Sequence, residues 1–164
     1  MWYYKENVRY GILRFKFMKR RSYAQAYGRY LAMKLMTAGL TDFDVLTWVT
    51  TGRQRVRKRG YDQAELITRA TAKELGVQAV QTLKKIRNVP PQSSLPTAAA
   101  RRANILGAYK VTDPALVTNK RILLLDDIIT TGATASECAK TLLTAGAKEI
   151  LFAAVAVASH NMKN

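Results

Sequence analysis

The chain has 164 residues, 48% of them apolar, and carries 27 Lys and Arg against 11 Asp and Glu, a net charge of +16. That length and apolar fraction suit one domain with a real core. No continuous apolar run approaches the roughly 18 residues of a membrane span. The N-terminal MWYYKENVRYG also lacks the charged-then-apolar order of a signal peptide, so a cytoplasmic location is expected. A single cysteine, Cys138, excludes an intrachain disulfide and a zinc site built from this chain's thiolates alone. The charge is uneven: residues 1–60 hold 14 basic and 3 acidic side chains, so +11 of the +16 lies in the first third. Such a field favours polyanions, either nucleic acid or a heavily phosphorylated small molecule, with a merely solvated basic surface as the plain alternative.

Taken in chain order, VRYGILRFKFMKRR mixes aromatic and basic residues and fits either a short helix or an edge strand. Ser22 is placed to cap a helix through SYAQAYGRYLAMKLMTAG, where Tyr23, Tyr27, Tyr30, Leu31 and Leu35 share one side and Gly39 supplies the stop. FDVLTWVT is β-branched and aromatic enough for a buried strand. The TGRQRVRKRG that follows reads as a loop with five basic residues between Arg53 and Arg59, a place to bind anions. YDQAELITRATAKELG opens with Asp62 and Glu65, a pair able to satisfy backbone donors at a helix start, and ends at Gly76. Residues 82–104 hold Pro90, Pro91 and Pro96 among Gln, Ser and Thr, which reads as a loop. A strand over 121–126, a helix over about 133–145 stopped by Gly146, and a strand in EILFAAVAVAS complete the chain. This βαβ order predicts an α/β fold with a mainly parallel sheet: one domain over 1–164, with a helical, basic segment at 1–40 and a core at 41–158.

The stretch ILLLDDIITTGATASE concentrates the chemistry. A loop from a strand end to a helix start presents free N–H groups at the positive end of the helix dipole, a ready phosphate site. Thr130, Thr131 and Thr134 add hydroxyl donors, and Gly132 lets the backbone curl closely round a ligand. Asp126 and Asp127 would repel a phosphate, so they should face hydrogen-bond donors or cations; vicinal ribose hydroxyls fit, and so does a hydrated magnesium ion. Each piece alone has a dull reading, a solvated strand end and a capped helix, but the ordered combination is far more specific. His160, four residues from the C-terminus, reads as a solvated terminal side chain, and Cys138 as a small core residue on a helix face with Ala135, Ala139 and Leu142.

Residues 122–134 resemble the phosphoribosyl-pyrophosphate (PRPP) motif of type I phosphoribosyltransferases. RKRGYDQAELITRATAKELG, QSSLPTAAARRANILGAYKV and the Asp-Asp motif, in that order, resemble the ComF family of phosphoribosyltransferase-like proteins linked to bacterial competence. The resemblance implies a type I phosphoribosyltransferase-like α/β fold with a mainly parallel sheet flanked by helices. By position, Asp126 and Asp127 would bind the ribose, and Thr130, Thr131, Gly132, Ala133 and Thr134 the 5′-phosphate. Thr50, Thr51, Gly52 and Arg53 would face the pyrophosphate, helped by Arg59. Residues 90–102, with Gln92, Arg101 and Arg102, would form a flexible loop closing over the sugar phosphate. Magnesium would arrive with PRPP, held by the ligand, with Asp126 and Asp127 as the candidate protein contacts and no dedicated protein cage.

Two departures stand out. Family members commonly begin with paired Cys-x-x-Cys zinc motifs, which this chain lacks. At WVTTGRQR, Thr50, Thr51 and Gly52 replace a proline-containing segment, which weakens the expectation for pyrophosphate, although Gly52 could adopt unusual backbone angles. The expected function is magnesium-dependent phosphoribosyl transfer from PRPP to an unidentified acceptor, or sensing of PRPP or a nucleotide. The alternative is a non-enzymatic handler of single-stranded DNA during uptake, with a competence-machinery partner. For that role the aromatics Tyr3, Tyr4, Tyr10, Phe15 and Phe17 among basic residues would stack bases if they are not core.

Overall fold

The run of apolar residues at 122–125 forms the middle of a sheet buried on both faces, which is why it shows no polar alternation. In the computed structural model, which describes residues 2–3, 6–17, 21–90 and 94–158, the elements are β1 (Trp2–Tyr3), α1 (Glu6–Phe17), α2 (Tyr23–Thr37), β2 (Val45–Trp48), α3 (Arg53–Arg59), α4 (Gln63–Leu75), β3 (Leu83–Lys85), α5 (Ala98–Ile105), β4 (Tyr109–Val111), β5 (Arg121–Ile129), α6 (Ala133–Thr144) and β6 (Glu149–Val157). Strands β1, β6, β5 and β2 make one sheet in that order, every pairing parallel, and β3 and β4 make a separate antiparallel hairpin. The expected α/β class and parallel sheet are present.

The two faces of the sheet carry two cores. Leu46, Leu123, Leu125 and Val155 pack with Ile12, Phe15, Tyr27, Leu31, Leu35 and Ile67 of α1, α2 and α4. Val49, Ile122 and Leu124 pack with Leu83, Ile105, Tyr109, Cys138 and Leu142 of the hairpin, α5 and α6. Each fully buried aliphatic side chain stabilises by about 1.5–3 kcal/mol, so alternation along β5 draws on both cores at once.

Several local expectations change. The segment before α2 is a helix. Ser22 stands at the start of α2 but has helical angles and makes no side-chain capping bond. The basic loop is the helix α3, since Arg, Gln and Lys are good helix formers and Gly60, at φ 85°, ends it. Residues 82–104 contain β3 and α5; Thr97 accepts the Ala100 N–H at 3.0 Å and an alanine run follows, enough to start a helix in proline-rich surroundings. The strand expected to stop at 126 continues to Ile129, paired with β6 as far as Val157. Asp62 caps α4 as expected, accepting from the N–H groups of Ala64 and Glu65, and Gly76 ends that helix. Cys138 is fully buried in the second core. His160 lies outside the described residues.

Helices α2 and α4 approach closely at Gly28. A Cβ there would stand 2.4 Å from the Ala70 Cβ and 2.8 Å from backbone atoms of Ala70 and Thr71. Gly28→Ala should therefore push the helices apart and cost about 1–3 kcal/mol, seen as a lower urea midpoint at unchanged slope.

Candidate functional site

Because side chains alternate along a strand, β5 sends its two acids to opposite faces. Asp126 belongs to the face of Tyr109 and Cys138, both of whose ionisations it disfavours. It lines an open groove with Thr130, Gly132, Thr134 and Ala135 above Ile128 and Phe152. The groove holds about 240 Å³ of free space, part of it open to solvent, or roughly eight water volumes of about 30 Å³. Asp127 is 7% exposed and faces the other way. There, burial pushes the Tyr27 hydroxyl up to about 12, with Tyr23 and Asp127 adding to it. The Asp127 N–H donates to Asp126 Oδ1 at 2.7 Å and so fixes the orientation of the first carboxylate. The paired acids expected to meet one ligand group thus diverge, because β5 outlasts the point where sequence ended it.

Gly132 precedes α6 with φ 74°, a left-handed conformation that a side chain would strain. The N-cap residue is a glycine with no side chain to cap with, and no acid lies in the first turn, whereas Asp62 and Thr97 cap α4 and α5. The Ala133 N–H reaches Thr131 Oγ1 only at 3.5 Å. The positive end of α6 is therefore open toward the groove that Asp126 lines, with hydroxyls of Thr130 and Thr134 at its rim.

The loop before α3 is arranged differently from expectation. The Thr50 hydroxyl donates to the Leu83 carbonyl at 2.7 Å, and the Thr51 N–H donates to Asp62 Oδ2 at 2.6 Å. Gly52 has φ −64° and ψ 144°, ordinary extended backbone that needs no glycine. Arg53, Arg57 and Lys58 are exposed and, among the described residues, pair with no carboxylate. Arg59 donates to Gln63 Oε1 at 2.8 Å, and Arg55 donates to the Val89 carbonyl at 3.1 Å.

Two cations stand beside this loop: Arg55, one of the five basic residues read as an anion site, and Lys85, which escaped the sequence reading. Burial, then Arg59, lowers the Arg55 pKa. Burial, then Arg55, pushes the Lys85 ammonium down to about 8, against the opposing pull of Cys138 and Asp126. Lys85 Nζ lies 5.3 Å from the Tyr109 ring centroid, and its Cδ is 3.6 Å from where a Gly52 Cβ would be. Nothing in the short Leu-Lys-Lys strand signals this; only the hairpin's docking brings Lys85 here.

The remaining expected residues are dispersed. Arg101 and Arg102 lie on α5, where Arg101 donates to the Leu95 carbonyl at 3.1 Å and Arg102 is exposed; Gln92 is outside the described residues. Of the aromatics considered for stacking, Phe15 is wholly buried in the first core and Tyr10 is 65% exposed. Tyr4 and the side chains of Tyr3 and Phe17 are outside the described set. Among the described residues no group of three or more His, Cys, Asp or Glu converges to hold a metal, and no helix is long and apolar enough to cross a membrane. A magnesium ion that keeps most of its ligands as water and phosphate oxygen fits this donor set, with Asp126 as the nearby carboxylate.

Comparison with known proteins bears on the fold and the family. A family model described as the phosphoribosyl transferase domain matches residues 62–163, more than half of the chain. The glutamine phosphoribosylpyrophosphate amidotransferase of B. subtilis superposes with a TM-score of 0.57 at 22% identity, covering 82% of this chain and 26% of that one. The fold is that of the type I phosphoribosyltransferases. DNA utilization protein YhgH of Salmonella typhi is 31% identical over 140 residues, 82% of this chain and 60% of that protein. Competence protein F of Haemophilus influenzae is 33% identical over 98 residues, 57% of this chain and 41% of that protein. The chain belongs to the ComF family of phosphoribosyltransferase-like proteins, and it spans about 60% of the length of the YhgH relatives.

Asp62 offers a test of the loop's electrostatics. Burial raises its pKa to about 6 despite N–H donation from Thr51 and Glu65, with Glu65 and Asp127 adding to the rise. The unfolded carboxyl titrates near 3.9, so between pH 4 and 6 the folded protein holds the extra proton and this group makes stability fall as pH rises, levelling above 6. In urea denaturation, the difference between wild type and Asp62→Asn should shift against wild type by on the order of 2 kcal/mol from pH 4 to 6.5.

Proposed function

We propose that the groove binds the ribose 5-phosphate end of PRPP and that the protein transfers the phosphoribosyl group to a nitrogenous acceptor. The observation that carries this reading is the groove shared by Asp126 and the glycine-started N-terminus of α6: a carboxylate for a diol beside an amide-rich, positive helix end for a phosphate. Asp126 accepts from the vicinal hydroxyls, and Asp127 holds it in place through its N–H. Thr130, Thr131, Gly132, Ala133 and Thr134 wrap the 5′-phosphate. The side of the site formed by Thr50, Thr51, Gly52, Arg53 and Arg59 takes the pyrophosphate by charge, with Gly52 and Arg53 as its open backbone, since Thr50 and the Thr51 N–H are committed internally. Magnesium, when bound with the ligand, neutralises charge on the departing diphosphate. In the transfer, the C1–O bond breaks with its electron pair leaving on the diphosphate, the acceptor nitrogen bonds to C1, and the acceptor loses a proton. Such chemistry depends on positioning and charge compensation more than on a general base.

Titration calorimetry of magnesium–PRPP into the wild-type chain should give saturable binding. Asp126→Asn should weaken it at least about tenfold, the scale of one lost charge-assisted hydrogen bond. Gly132→Ala should weaken it too, by straining the turn that presents the amides. A folded wild type that does not bind would sink this reading.

A second reading has its own support. Arg53, Arg57 and Lys58 form an exposed cationic strip on α3 without acidic partners among the described residues, and the relatives are named for DNA utilization and competence. Here the strip contacts the phosphates of single-stranded DNA. Fluorescence anisotropy with an oligonucleotide should show affinity falling with salt, and Arg57→Gln/Lys58→Gln should reduce the log–log slope by about 1.4, or roughly 0.7 per lost phosphate contact. An unchanged slope would remove α3 from any such role.

A further inference from the structure

We infer that α1 is a regulatory arm: with Arg21 it clasps residues 60–62 and through them sets the loop before α3 for a diphosphate, so that drawing α1 away weakens that ligand. This rests on the PRPP reading of the pocket and adds a control exerted from outside the groove.

Three consecutive residues make the clasp. The Gly60 carbonyl, at the end of α3, accepts from the Arg21 guanidinium at 3.0 Å. The Tyr61 hydroxyl donates to the Phe15 carbonyl, which lies in the last turn of α1, where the helix itself leaves carbonyls without a donor. The Phe15 and Tyr61 rings stack with centroids 5.6 Å apart, and the Arg21 guanidinium lies 5.2 Å from the Tyr61 centroid. Asp62, next in the chain, takes the Thr51 N–H at 2.6 Å and so fixes the backbone just ahead of Gly52. Tyr61 is thus a positioning residue, acting on the loop through its neighbour.

Burial makes the tie matter. Phe15 is wholly buried and Tyr61 is buried beside it, so a broken bond would leave a donor and an acceptor that water does not readily reach. Phe15 also meets the Tyr27 ring edge-on at 5.9 Å, and a Cβ on Gly11 would stand 2.6 Å from the Tyr27 hydroxyl. The arm therefore rests on both tyrosines, and the Asp127 charge acts on Tyr27 and on Asp62 alike. Helix α1 belongs to the first core, whereas α6 and the residues beside Asp126 belong to the second, across the sheet. The 5′-phosphate end of the ligand does not share this support. By linkage, a ligand that needs the loop in place must in turn hold α1 more firmly.

Hydrogen exchange over Glu6–Phe17 and calorimetric titrations of ribose 5-phosphate and of magnesium–diphosphate, on wild type, Tyr61→Phe and Arg21→Ala, test the coupling. Tyr61→Phe keeps the stacked ring and removes only the hydroxyl, and Arg21→Ala truncates an exposed side chain, so the second variant stands if the first folds poorly. In each, α1 amides should exchange faster and magnesium–diphosphate should bind about three- to tenfold more weakly, the scale of one hydrogen bond, with ribose 5-phosphate within about 1.5-fold. In wild type, saturating magnesium–diphosphate should slow α1 exchange and ribose 5-phosphate should not. Faster α1 exchange at unchanged diphosphate affinity, weaker diphosphate at unchanged α1 exchange, no change in either, or equal loss of both ligands would overturn the coupling while the pocket reading stands. Wild type that binds ribose 5-phosphate but not diphosphate would also overturn the coupling, whereas failure to bind ribose 5-phosphate would overturn the pocket reading itself.

Discussion

The register of β5 between β2 and β6 is the constraint on which the site depends. Leu123 and Leu125 must enter one core and Ile122 and Leu124 the other. A slip of one residue would exchange the two sets and with them the two aspartates. At the far end of the strand the Arg121 N–H donates to Asp44 at 2.7 Å, and its guanidinium meets Asp42 and Glu149, the latter at 2.8 Å. Such exposed ion pairs contribute little stability. What holds the register is burial on both faces, and the position of Asp126 over its groove is a by-product of that packing.

A second dependence links the two loops that flank the strand ends. Asp62 caps α4 with one oxygen and takes the Thr51 N–H with the other. It thereby sets where α3 begins and how its cations approach β3. The start of α6 has no comparable side chain. One loop is tied down from within by a buried carboxylate, whereas the other begins its helix at a glycine with no side chain to do the same.

Much of this was legible in sequence where local chemistry and tertiary packing agree. The apolar run of β5, the Asp62 cap, the Gly76 stop and the glycine before α6 each state their conformation locally. Sequence was less informative where composition misleads. Five cations in seven residues resemble a loop, yet those residue types favour helix between Gly52 and Gly60. Prolines around residues 90–96 hide the Thr97 cap and the alanine run of α5. The divergence of Asp126 and Asp127 follows from strand alternation once β5 is carried past them, but two adjacent acids look like the end of a strand. Lys85 had no local signature at all, because its neighbourhood is made by a hairpin docking on a helix.

The burial of Cys138 has a kinetic consequence. Its thiol sits wholly inside the second core, raised well above its usual pKa by burial first and then by Asp126, so thiol reagents can reach it only when α6 lifts from the sheet. As the chain's one cysteine, it is a built-in clock for that opening. Its labelling rate counts how often the floor beneath Asp126 comes apart, and any molecule that binds across β5 and the first turn of α6 slows the clock in proportion to how firmly it holds the two together.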